Sequence, residues 1–133
     1  MTKTGIFTLR KEERICSRTH IRQLFTAGKN LSLAAFPLRM IAATTDRKPG
    51  QPAVQMMVSV PKRHLRHAVD RNRAKRQVRE AYRRHKDTLT RAMTDKDDRQ
   101  LIVAFLWIDS RPHDSRNVEA KVENLIRRMA EKI

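Results

Sequence analysis

The chain has 133 residues, ordinary for one domain and short for two. Lysine and arginine number 30 against 14 acids, a formal net charge of +16 that self-repels in the free fold and points to a polyanionic partner, nucleic acid before anionic membrane. The single Cys16 excludes an intrachain disulfide, and the longest apolar run, Leu101 to Ile108, is too short to span a bilayer.

Residues 1–13 read as an irregular arm. They carry Lys3, Arg10, Lys11, Glu12 and Glu13 with no apolar stretch and cleavage site behind them, so no signal peptide and a cytoplasmic location are expected. Ser17 to Ala27 predicts a short helix, capped by Ser17 and ended by Gly28, with Ile21, Leu24 and Phe25 on one face. Phe36 to Ala43 predicts a strand. Phe36, Leu38, Met40 and Ala42 take its core face, and Pro37, Arg39, Ile41 and Ala43 the other. Pro37 lacks an amide donor, which argues that this strand or its start lies at an edge.

Asp46 to Pro52 is turn chemistry around Pro49-Gly50, and Val54 to Val60 alternates as the next strand. A basic helix follows from about Val69 to Leu89, then a polar loop from Thr94 to Arg99. Leu101 to Trp107 is continuously apolar, as a strand buried on both faces is. Asp114 or Ser115 caps a last helix whose stripe is Val118, Val122, Leu125, Ile126 and Met129. The expected fold is α+β: a single small domain over residues 1–133, with about four strands packed by three helices.

Lys62 to Lys86 holds eleven cations against only Asp70 and Glu80. On a helix, Ala74, Val78, Ala81 and Tyr82 form the buried stripe, while Asn72, Arg76, Arg79 and Arg83 share the opposite face. Lys75 borders the stripe on one side and Arg73 and Arg84 on the other; Arg71 lies near it in the first turn. A merely solvated face would interleave acids. Arginine forks match phosphate oxygens bidentately. The apolar side is too small for a membrane anchor. An aromatic content of 5 % argues against a surface of many stacking platforms.

The strand ending Val58-Ser59-Val60-Pro61-Lys62-Arg63, followed by His67-Ala68-Val69-Asp70-Arg71-Asn72-Arg73-Ala74-Lys75-Arg76-Gln77-Val78-Arg79-Glu80-Ala81-Tyr82-Arg83, resembles the signature of the bacterial ribonuclease P protein family. The resemblance implies that the basic helix joins two parallel strands by a left-handed crossover. It implies binding to a catalytic RNA subunit that performs the hydrolysis with Mg²⁺, none of it held by the protein, and help in recognising the 5′ leader of precursor tRNA. The polypeptide would be a subunit of an endoribonuclease holoenzyme with no catalytic residue of its own and no required protein partner. RNA contact would fall to Lys62, Arg63, Arg66, Arg71, Asn72, Arg73, Lys75, Arg76, Arg79 and Arg83. A leader cleft would be lined by Ile21, Phe25, Arg39, Ile41 and Ser59. The chain departs from the family in lacking aromatics at Ile21 and near Arg39, which leaves Arg39 suited to a phosphate contact, and in having Pro61 where a small residue is usual.

Other chemistries find little support. Three separated glycines make no phosphate loop. His64 and His67 lack further metal ligands, and Asp95, Asp97 and Asp98 read as a solvated loop. A structural ribosome-associated RNA-binding protein would share the charge without the ordered motif, and a DNA-reading helix would carry more base-edge donors and acceptors.

Overall fold

The apolar run near residue 101 becomes the centre of the sheet. The computed structural model describes residues 31–47, 49–50, 52–96 and 98–133. Its strands are β1 (Leu31–Ala35), β2 (Leu38–Asp46), β3 (Val54–Ser59) and β4 (Arg99–Trp107), in the order β1-β2-β4-β3. β1 and β2 form an antiparallel hairpin, β2 pairs antiparallel with β4, and β3 runs parallel to β4. Bonded on both edges and buried along nearly its whole length, β4 has almost no position for a polar residue. The predicted arm, the Ser17–Ala27 helix, Ile21 and Phe25 lie outside the described residues.

The basic helix crosses from β3 to β4, as the resemblance implies. It comes in two pieces, α1 (Ala68–His85) and α2 (Asp87–Ala92), rather than one run to Leu89. Lys86 keeps right-handed helical dihedrals, and its carbonyl accepts from Leu89 and Thr90 at 3.0 Å. The join carries Leu89 and Met93 into the core. The last helix, α3 (Ser115–Lys132), buries its whole predicted stripe, and Asp114 caps it by accepting from the Asn117 amide at 2.7 Å. The main core lies between these helices and one sheet face, which supplies Leu38, Met40, Val54, Met56, Leu101, Val103, Phe105 and Trp107. Among the described residues no helix is long and apolar enough to cross a membrane.

Two expectations about the first strand are corrected. Phe36 is 56 % exposed, not core. It and Pro37 form the tight β1–β2 turn, so the strand begins two residues later than its alternation suggests. β2 is also interior rather than an edge. Pro37 is tolerated because it stands outside the ladder, where its carbonyl accepts from the Ile108 amide at 2.9 Å. The Pro49-Gly50 turn is present, with Gly50 at φ 87°, a region side chains rarely enter.

Candidate nucleic-acid interface

Between β3 and α1 the chain makes a short anchored loop. The Pro61 carbonyl accepts from the amides of His64 and Leu65, and the Leu65 side chain is buried. Arg71 reaches back from the first helical turn to donate to the carbonyls of Leu65 at 3.0 Å and Arg66 at 2.8 Å. Arg71 therefore holds the loop in shape, which its membership in the basic run did not suggest. So anchored, the loop presents Lys62, Arg63 and Arg66 to solvent. On α1, Ala74, Val78, Ala81 and Tyr82 are buried as predicted. Asn72, Arg73, Arg76 and Arg79 are exposed, and Lys75 and Arg83 are half-buried at the margins. Gln77 joins the buried side, which the sequence reading missed.

The cations divide sharply by their neighbours. Among the described residues no carboxylate forms an ion pair with Lys62, Arg63, Arg66, Arg73, Lys75, Arg76 or Arg79. Farther along, Glu80 takes Arg83 and, at 3.5 Å, Arg84; Arg84 also meets Glu119 at 2.9 Å; Arg91 meets Asp87. The hydrogen bond from Arg83 is the main reason that the Glu80 carboxyl sits below its usual range. The uncompensated charge is thus concentrated on the loop and the first two-thirds of α1. That places Arg83 apart from the other predicted RNA contacts.

The second sheet face carries three of the predicted cleft residues, Arg39, Ile41 and Ser59. Arg39, Leu106 and Ser59 stand in one row across β2, β4 and β3, with Ile41, Ala104 and Met57 in the next. Ile102 and Ala104 are fully buried there, with Ile41, Ala43 and Met57 packed against them. Arg39 is exposed and donates from Nε to Ser32 Oγ at 3.1 Å, which ties its guanidinium to the neighbouring β1. The strand parity read from the sequence is correct, and Arg39, Ile41 and Ser59 share a face.

A polar hinge that periodicity could not reveal joins α1 to the start of α3. Gln77 Nε2 donates to the His113 carbonyl at 2.9 Å and to Ser115 Oγ at 3.1 Å. The His113 ring lies between Asp109 Oδ2, 2.6 Å from Nε2, and the side-chain Nδ2 of Asn117, 2.8 Å from Nδ1, and packs edge-on against Trp107. The hydrogen bond from His113 is the chief cause that lowers the Asp109 pKa. A carboxyl with a depressed folded pKa contributes stability above its unfolded value, about 3.9, and loses it as pH falls through the lower folded value. Asp109→Asn should therefore flatten the acid limb of a pH-dependent urea series below about pH 4. An unaltered acid limb would show the pair to be energetically idle.

Among the described residues no three His, Cys, Asp or Glu side chains gather as a metal site. The family model for Ribonuclease P matches residues 9–130. The ribonuclease P protein component of Porphyromonas gingivalis is 35 % identical over 132 residues, covering 98 % of this chain and 92 % of that protein. The corresponding protein of Chlorobium phaeobacteroides is 38 % identical over 89 residues, covering 67 % of this chain and 61 % of that one. The solved RNase P protein from Thermotoga maritima superposes with a TM-score of 0.61 at 22 % identity, covering 87 % of this chain and 96 % of that one, and shows the same fold. With the ordered basic motif on a crossover helix and a family match along nearly its whole length, this chain belongs to the ribonuclease P protein family.

Proposed function

We propose that the chain is the protein subunit of a ribonuclease P holoenzyme, an endoribonuclease that matures the 5′ end of tRNA in the cytoplasm. It binds the catalytic RNA subunit through the loop at Lys62–Arg66 and the exposed face of α1. The observation that carries this reading is the run of cations from Lys62 to Arg79 without carboxylate partners among the described residues, on a scaffold of the ribonuclease P family. Arginine and lysine held apart from acids keep their full attraction for phosphate and release its counterions on binding. Asn72 spares the helix one repulsion and adds a neutral donor.

The polypeptide supplies positioning, and the RNA supplies the chemistry. Mg²⁺ belongs with the RNA phosphates in this reading, because the protein face directed at the RNA is itself cationic. No further protein partner is required. The test is cleavage of precursor tRNA at low Mg²⁺ by protein alone, RNA subunit alone, and both. Site-specific cleavage is expected only where RNA is present, with protein enhancing it; cleavage by RNA-free protein would overturn the reading.

The second sheet face is the proposed seat of the single-stranded leader, with Arg39 neutralising one phosphate beside Ile41 and Ser59, and Ile21 and Phe25 contributed by the N-terminal segment. Arg39→Ala should lower the salt slope of leader binding by roughly 0.7, the increment for one phosphate of a single strand. Phe25→Ala should cost about 1–3 kcal/mol if the ring stacks on a base. Both effects should vanish with mature tRNA. Equal losses on mature tRNA would remove the leader from this face.

A further inference from the structure

Between α1 and the first turn of α3 lies an open groove of about 540 Å³ whose polar lining is Arg73, Arg76, Gln77, Glu80, Arg84, Ser115, Arg116 and Glu119. The basic run on α1 accounts for one wall. The other wall comes from α3, about forty residues away in sequence, and nothing in the basic motif involves it. We propose that this groove is a two-walled seat for a phosphodiester of the bound RNA, with Arg116 of α3 closing on the phosphate from the side opposite Arg73 and Arg76. The inference rests on the reading of the chain as an RNA-binding subunit and adds a contact from a second element.

Charge and hydrogen-bond bookkeeping select the occupant. Arg73, Arg76 and Arg116 line the groove, and among the described residues none of them is ion-paired. Its two carboxylates are already engaged: Arg84 bridges Glu80 at 3.5 Å and Glu119 at 2.9 Å, and Glu80 also receives Arg83. Their charge is largely answered at the far end, so the opening near Arg73, Arg76 and Arg116 stays cationic. Ser115 Oγ accepts from Gln77 Nε2, which leaves the hydroxyl hydrogen free to donate into the groove. Gln77 is itself buried and fixed at both the His113 carbonyl and Ser115, so the two walls are tied at a set spacing before any ligand arrives. Guanidinium groups carried on two walls of set spacing suit a compact tetrahedral anion, and the open mouth lets a chain continue past it.

The test has two arms. In the first, inorganic phosphate is titrated into the full isotopically labelled chain at constant ionic strength. The amides of Ser115 and Arg116 and the Nε groups of Arg73 and Arg76 should follow one saturating curve. Arg116→Ala should weaken that binding at least about fivefold, while Lys132→Ala, the same charge change at the other end of α3, should not. Separate curves, or equal losses in the two variants, would mean diffuse charge and overturn the seat. The second arm measures affinity for the ribonuclease P RNA subunit. Arg116→Ala should lower it and reduce the salt slope by roughly 0.7–0.9. Phosphate binding with unchanged RNA affinity would overturn the proposal by putting the groove off the RNA path. Failure of this kind with Arg76→Ala still impaired would leave the α1 interface standing; failure of both variants to matter would remove RNA binding from α1 as well.

Discussion

Val78→Asp should leave no cooperatively folded domain. Val78 is fully buried where α1 meets the sheet, in the core that also holds Tyr82 and Phe105. A carboxylate there loses its water among the apolar side chains of the core, and protonation only exchanges that cost for an unpaired hydroxyl and a lost apolar contact. Such substitutions fall in the tail of about 4–5 kcal/mol or more. A domain of this size has only about 5–15 kcal/mol in total, and this one is further strained by its own charge. Thermal unfolding followed by circular dichroism should show no sigmoidal transition. A cooperative melt near the unsubstituted temperature would mean that α1 is rotated from the orientation described.

Arg76→Ala should do the opposite, keeping the fold and losing the ligand. Its side chain is exposed and pairs with no acid among the described residues, so removal costs the protein little and relieves repulsion along the helix. A charge-assisted contact to phosphate is worth about 1.5–3 kcal/mol, so affinity for the RNA subunit should drop about 10- to 150-fold. Arg83→Ala gives the contrast. Arg83 is tied to Glu80, so its loss should weaken RNA binding clearly less than that of Arg76. Filter binding at several salt concentrations distinguishes the two, and equal losses would show that the Glu80 pair opens in the complex.

Most of the site was legible in the sequence because its parts are periodic. The stripe of Ala74, Val78, Ala81 and Tyr82 fixes the rotation of α1, and rotation decides which arginines face outward. The alternation from Leu38 onward correctly put Arg39 and Ile41 together, and the pairing through Leu106 brings Ser59 into their row. What escaped was tertiary or polar. Phe36 continues the alternation perfectly well, and only the hairpin turn removes it from the core. β1, with its short Leu31–Ala35 run, was not located, because five small and apolar residues give little pattern to read. Gln77 broke the apolar stripe without announcing its role, since its partners at His113 and Ser115 lie across the fold. Arg71 and Arg83 look like their neighbours in sequence, yet backbone carbonyls hold one and a carboxylate the other.

The central position of β4 also sets an order of events during synthesis. β2 is complete at Asp46 and β3 at Ser59, yet each finds its long-range partner only in residues up to Trp107. At translation speeds of about 5–20 residues per second, the nascent chain waits on the order of several seconds with half a sheet exposed. During that wait the emerging segment is the basic loop and α1, beside a ribosome made largely of RNA. The surface that carries the charge is therefore synthesised before the strand that closes the sheet beneath it.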